Sequence, residues 1–126
     1  MRKSQDFCYY HLIWRTYLAL PLIDNQCQRL LWGFWKKQIR ELKCDLIAVA
    51  IATDHIHLLL QIPPVRSVSD IIHYLKGSSA HWLNQIIPAK KFRWQKGYAV
   101  YTVSRSVVPK VKDYIVNHVE RADKGR

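Results

Sequence analysis

Two apolar runs separated by Thr53-Asp54 constrain this chain more than any other feature. Residues 44–52 are mostly small and β-branched apolar residues, the composition of a buried strand. Thr53-Asp54 can close a tight turn. Residues 55–62 then read as a second strand, ended by Pro63-Pro64. Together the two runs make a hairpin.

The flanking segments follow a helical or strand-like pattern in turn. Residues 7–15 are rich in aromatic and β-branched residues and read as a strand. The stretch Leu20 to Asp24 is a break, with Asp24 or Asn25 a suitable helix cap. From 26 to 42, Leu30, Leu31, Phe34, Trp35, Ile39 and Leu42 recur at helical spacing, with Lys36, Lys37 and Arg40 on the other side. Ser67 followed by Asp70 marks a second helix start. That helix runs to about Ile86, burying Ile71, Ile72, Leu75, Trp82, Leu83 and Ile86 before Pro88 stops it. Residues 92–104 alternate loosely and carry many aromatics, as a strand or a bent pair of strands would. Residues 108–120 form a last helix with Pro109 in its first turn. The order β-α-β-β-α-β-α predicts an α+β fold, a ferredoxin-like or RRM-like antiparallel sheet with flanking helices. No linker or repeat divides residues 1–126, so one domain is expected. Such a fold hosts both enzymes and RNA binders and does not itself name a function.

Charge narrows the partner. The chain carries 20 Lys and Arg against 9 Asp and Glu, a net +11. That field favours a polyanion, most commonly a phosphate backbone, although high charge also serves solubility. A membrane surface would want one strongly basic amphipathic helix, and here the charges are spread along the chain. Cys8, Cys27 and Cys44 are odd in number, far apart and without a C-x-x-C pair. This argues against a disulfide framework or a Cys-rich zinc site and for a reducing compartment. No signal peptide or membrane span is evident, so a cytoplasmic location is expected.

The most informative stretch is Asp54-His55-Ile56-His57-Leu58-Leu59-Leu60. In a strand, residues two apart share a face, so His55 and His57 present their imidazoles side by side. Ile56, Leu58 and Leu60 point the other way. Two imidazoles at that spacing can share a divalent metal, yet two ordinary strand histidines would look the same. A histidine-triad hydrolase would continue the alternation to a third histidine, where this chain has Leu59.

Tyr114 and His118 lie four apart on the last helix and so share a face. Phenol is a poor nucleophile, with an unperturbed pKa of about 10, and a nearby cation favours its ionised form. If His118 added a third ligand to the metal of His55 and His57, the helix would bring Tyr114 to that metal. An exposed helix tyrosine in water is the alternative. Tyr98 and Tyr101 are rival nucleophiles but lie in a strand-like stretch with no evident ligand beside them.

At this point the residues resemble a family, the single-tyrosine HUH transposases of small bacterial insertion sequences and especially their REP-associated branch. Tyr10-His11-Leu12-Ile13-Trp14-Arg15-Thr16 resembles the first strand of that family, and Asp54 to Leu59 its HUH motif. Leu75-Lys76-Gly77-Ser78-Ser79 with Asn84 resembles the second-helix signature. Phe92-Arg93-Trp94-Gln95-Lys96-Gly97-Tyr98 resembles the segment before the last strand. Val111-Lys112-Asp113-Tyr114-Ile115 with Asn117 resembles the catalytic helix.

The resemblance implies an enzyme that cleaves and rejoins single-stranded DNA at hairpin-bearing ends. Tyr114 would form a 5′-phosphotyrosine link and release a 3′-OH, with no nucleotide cofactor. The cofactor would be Mg²⁺ or Mn²⁺, held by His55, His57 and the polar residue one turn after the tyrosine. The family usually has glutamine there and this chain has His118, which suits Mn²⁺ better than Mg²⁺. A homodimer and no membrane association are expected. Arg121, Lys124 and Arg126 form a basic tail.

Single strands are gripped by basic side chains beside aromatic platforms. Arg15, Lys76, Lys90, Lys91, Arg93, Lys96 and Arg105 are candidates for phosphate contact, and Trp94 or Tyr98 for stacking. Each could equally be a solvated lysine or arginine or a core aromatic, so the stretch 90–96 is favoured as a group. Two other classes stay open: a nucleic-acid-binding module that has lost its chemistry, and a metal-binding regulatory protein.

Overall fold

The computed structural model describes the backbone of residues 8–124 and the side chains of residues 8–118. Phe7 and Arg126, and the side chains of Arg121 and Lys124, lie outside it. Among the described residues the elements are β1 (Cys8–Arg15), α1 (Asn25–Glu41), β2 (Asp45–Ile51), β3 (His55–Ile62), α2 (Val68–Ile86), β4 (Ala99–Val103) and α3 (Val108–Lys124). The order read from the sequence is the order found.

The four strands form one antiparallel sheet in the order β2-β3-β1-β4. Strand β3 therefore sits between β1 and β2, and β1 between β3 and β4. This is the interleaved pair of split β-α-β units of a ferredoxin-like layer. Helices α1 and α2 pack together on one face, while α3 covers β2 and β3 from the other.

Local chemistry sets the helix ends. The Asp24 carboxylate accepts from the Cys27 N–H at 2.9 Å and caps α1. That bond, and then Lys90 at 3.0 Å, hold the Asp24 pKa below the ordinary carboxylate range. The Ser67 hydroxyl accepts from the Asp70 N–H and caps α2.

The larger core lies between the sheet and α1 and α2, because Leu12 and Trp14 on β1 and Ile56, Leu58 and Leu60 on β3 all point there. Trp35 of α1 is its pivot. It is fully buried, meets Trp14 edge-on at 5.6 Å, lies nearly parallel to Trp94 at 5.8 Å, and donates its Nε1–H to the Leu75 carbonyl. Trp35→Ala is expected to cost about 3–5 kcal/mol by emptying that space. Urea unfolding followed by circular dichroism measures it, and a loss below about 1 kcal/mol would contradict this packing role.

Two expectations need correction. Residues 92–104 are not a strand throughout: only 99–103 pair with β1, and Trp94 makes a single bridge to Thr16. Phe92 and Trp94 are core packing residues, and the chain turns through left-handed backbone at Lys91 (φ 53°) and Gly97 (φ 94°). In α2, Ile86 is exposed and Trp82 only half-buried, because Trp82 stacks on Phe34 at 4.4 Å at the rim of the helix pair.

The α3 face prepares the functional site. Ala48 and Ala50 of β2 are small, and they form a second cluster with Leu59 of β3 and the fully buried Ile115 of α3. Short side chains let the helix sit close to the sheet. Ile115 anchors it beside Leu59, and the neighbours one back and three on, Tyr114 and His118, come to lie by the histidines of β3. No helix among the described residues is long and apolar enough to cross a membrane.

Candidate active site

Alternation along β3 sends His55, His57 and Leu59 to the α3 face and Ile56, Leu58 and Leu60 into the main core. The helix adds His118. The ring nitrogens of His55, His57 and His118 gather so that one ligand atom from each lies within 4.8 Å of the others. His55 directs its Nδ1 to the Asp54 carboxylate at 2.8 Å and its Nε2 to His118 Nε2 at 3.0 Å. His57 directs its Nδ1 to His11 Nε2 at 2.9 Å. For His55 and His57 the Nδ1 has a partner in the fold, which leaves Nε2 for the shared centre.

The donor set suits a divalent transition ion, which neutral imidazole binds well. His57 is only 4% exposed. Burial, followed by the neighbouring His118, His11, His55 and Arg15, pushes its pKa down to about 3, so the ring is neutral with a lone pair to offer. Burial first and His118 second also lower the pKa of His11.

This burial predicts a pH dependence for chelator-treated protein. His57 would be protonated below its ordinary 6.5 in the unfolded chain but only near 3 in the fold. Between these values the unfolded state binds more protons. The His57 contribution is therefore complete above the unfolded value and declines as pH falls toward the folded one. The slope from this group is at most about 1.4 kcal/mol per pH unit. Melting temperatures in chelator should drop between pH 7.5 and 5, and His57→Gln should shrink that drop. An equal drop in both proteins would refute the assignment.

Tyr114 belongs to the same face of the same chain. Its ring centroid is 5.6 Å from that of His118, 6.3 Å from His57 and 6.4 Å from His11. It is 48% exposed. The rivals Tyr98 and Tyr101 are also exposed, and Tyr101 is 6.0 Å from His11.

The residues expected to meet DNA divide. Arg15 stands opposite His55 in the β1–β3 register and adds positive charge near His57. With Ile13, Lys96, Tyr98 and Tyr101 it lines a hollow of about 340 Å³ between the end of β1 and the start of β4. Lys76 instead lies under this wall, donating to the carbonyls of Gln95 and Gly97 at 2.8 Å each, and burial lowers its pKa. Lys90 binds the Leu22 carbonyl and the Asp24 carboxylate at the start of α1. Trp94 is buried and donates to the Ser79 hydroxyl, which makes it a core residue rather than a stacking platform. Arg93 lies over the Tyr17 ring at 4.0 Å, and Lys91 and Arg105 are exposed. The stretch 90–96 is thus not one basic patch, because Phe92 and Trp94 turn inward and Lys90 faces α1.

Two partners were missed from the sequence: His11 and Asp54. Asp54 could have been found from its adjacency to His55. His11 has no local signal, because it reaches His57 only through strand pairing.

Residues 4–118 match the family model described as "Transposase IS200 like". The transposases for insertion sequence element IS200 of Salmonella typhimurium and Salmonella typhi are each 30% identical over 124 residues, spanning 94% of this chain and 81% of theirs. A crystal structure from Deinococcus radiodurans ascribed to a transposase superposes with a TM-score of 0.74 at 26% identity, covering 93% of this chain and 97% of that one. A REP-associated tyrosine transposase bound to a REP hairpin superposes with a TM-score of 0.70 at 14% identity, covering 91% and 68%, a likeness of fold alone.

Proposed function

Because this chain belongs to the IS200-like transposase family, we propose that it cleaves and rejoins single-stranded DNA at hairpin-bearing ends, with Tyr114 as nucleophile. The observation that carries this is the gathering of one phenol and three imidazoles on the α3 face within a single chain. The Tyr114 oxygen attacks phosphorus, and its proton passes to solvent. The bond to the 3′-oxygen breaks, and that oxygen leaves as a 3′-OH after taking a proton. A later 3′-OH attacks the phosphotyrosine and restores the phenol. The link conserves the phosphodiester, so no nucleotide cofactor is required.

His55, His57 and His118 would hold the divalent ion, Mg²⁺ or Mn²⁺. Its chemistry there is to withdraw charge from the phosphate under attack. Asp54 orients the ring of His55. Arg15 and Lys96 bring positive charge to the phosphates at the mouth of the hollow, where Tyr98 and Tyr101 offer faces for unpaired bases. Lys76 keeps that wall in place from beneath. We take residues 1–126 as one transposase domain, working in the cytoplasm as a homodimer. Tyr114 already stands beside the histidines of its own chain, so a dimer need not exchange α3 to complete the site.

Three imidazoles favour Mn²⁺ over Mg²⁺. His118→Gln is therefore expected to raise the ratio of Mg²⁺-supported to Mn²⁺-supported cleavage by about 10-fold or more, the effect of exchanging a nitrogen for an oxygen ligand. An unchanged ratio would remove His118 from the ligand set. The proposal as a whole is tested with labelled hairpin-bearing single-stranded DNA and Mn²⁺. A protein–DNA adduct that survives denaturation supports it. Binding with no adduct supports the alternative, a nucleic-acid-binding module on this fold, which the histidine at 118 keeps in view.

A further inference from the structure

We propose that His11 is the positioning residue for His57: its Nε2 accepts the His57 Nδ1–H and so fixes the tautomer whose Nε2 can bind a cation. This rests on the metal reading above.

The geometry is specific. His11 lies on β1 with Tyr101 of β4 opposite it on one side and Leu59 of β3 on the other, so it is two pairs away from the Ile13–His57 rung and on the same face. Both rings point to the α3 face, and the diagonal across the strands brings His11 Nε2 to 2.9 Å from His57 Nδ1. The rings lie 5.1 Å apart and 30° from parallel. His11 is 8% exposed and His57 is 4% exposed, so water has little access to replace the bond.

A hydrogen bond between two imidazoles has two proton arrangements. In one, His11 Nε2–H donates to His57 Nδ1, and the His57 proton sits on Nε2, where it blocks a cation. In the other, His57 Nδ1–H donates to His11 Nε2, and His57 Nε2 has a free lone pair. Only the second permits the shared centre. Binding a cation then selects a tautomer of His11 as well, with its proton on Nδ1. His55 has a simpler device, since a carboxylate such as Asp54 can only accept when ionised. His11 thus plays for His57 the part that Asp54 plays for His55, with a neutral acceptor that adds no charge to the buried side of the site.

The test uses the full chain labelled with ¹⁵N-histidine. Long-range ¹H–¹⁵N spectra read the protonated nitrogen of each ring before and after Zn²⁺, a diamagnetic probe, and Mn²⁺ affinity is read by electron paramagnetic resonance. With Zn²⁺ bound, the proton of His57 is expected on Nδ1 and that of His11 on Nδ1. His11→Phe keeps a ring in place but offers no acceptor. It should lower affinity for both ions about 10- to 100-fold, the usual effect of losing an outer partner of a metal ligand. His11→Gln, whose carbonyl oxygen can accept, should recover most of that loss. Equal affinities in wild type and His11→Phe, or a Zn²⁺-loaded spectrum with His11 protonated on Nε2, would overturn the proposal. An affinity in His11→Gln no better than in His11→Phe would also overturn it, reducing His11 to packing. A wild type whose His57 signals ignore both ions would instead defeat the metal reading itself, and the role of His11 with it.

Discussion

Tyr114→Phe is expected to abolish the denaturation-resistant DNA adduct and to lower strand cleavage by at least about 10⁴-fold, the scale on which an enzyme loses its sole nucleophile. The fold should barely notice. Tyr114 is 48% exposed, and α3 is anchored through Ile115, which is fully buried against the sheet. Removing one exposed hydroxyl should leave stability within about 0.5 kcal/mol. Binding of hairpin-bearing single strands should change by no more than a few fold, because the charge that attracts phosphate lies elsewhere. Denaturing gels with 5′-labelled and 3′-labelled strands measure the adduct, and gel shifts measure binding. Tyr98→Phe and Tyr101→Phe are the controls, since both rings are exposed and line the adjoining hollow. An adduct that persists in Tyr114→Phe and vanishes in either control would move the nucleophile to β4 or its approach.

How much of this could be read without coordinates depends on the range over which each signal acts. The two histidines of β3 share a face because side chains alternate along a strand, a rule that needs only the next residue but one. Tyr114 and His118 share a face because a helix turns every 3.6 residues. Joining the two faces is a tertiary fact. It depends on small side chains at Ala48 and Ala50 and on Ile115 meeting Leu59, and only the family resemblance anticipated it.

What stayed hidden was set by register and by direction. His11 meets His57 because β1 and β3 pair with Ile13 opposite His57, and a slip of one residue would turn His11 to the other face. Lys76 looked like a phosphate contact because sequence reveals its charge but not where the side chain goes. It donates instead to the Gln95 and Gly97 carbonyls. The stretch 92–104 looked like strand because Phe92 and Trp94 are strand-forming types. Their aromatic bulk instead fills the core around Trp14 and Trp35, and β-propensity yielded to packing.

Replacing the strand histidines should separate metal loading from nucleophilic attack. His55→Ala and His57→Ala are each expected to weaken Mn²⁺ binding by at least about 100-fold, above the usual effect of losing an outer partner. The double variant should take up no measurable ion at this centre. Cleavage should fall in parallel. High Mn²⁺ should partly restore each single variant, since two ligands remain, and should not restore the double. Their effects on cleavage should not add, because the ligands act as a unit. His57→Ala should also destabilise the protein more than His55→Ala, since it removes a buried ring and leaves the His11 Nε2 without its partner. The Tyr114→Phe protein supplies the contrast: it should bind Mn²⁺ as the wild type does and still make no adduct. Titration calorimetry on the four variants and the wild type, beside the adduct gel, reads both quantities. Wild-type cleavage by the double variant would mean that the three imidazoles are not the centre at which phosphate is activated.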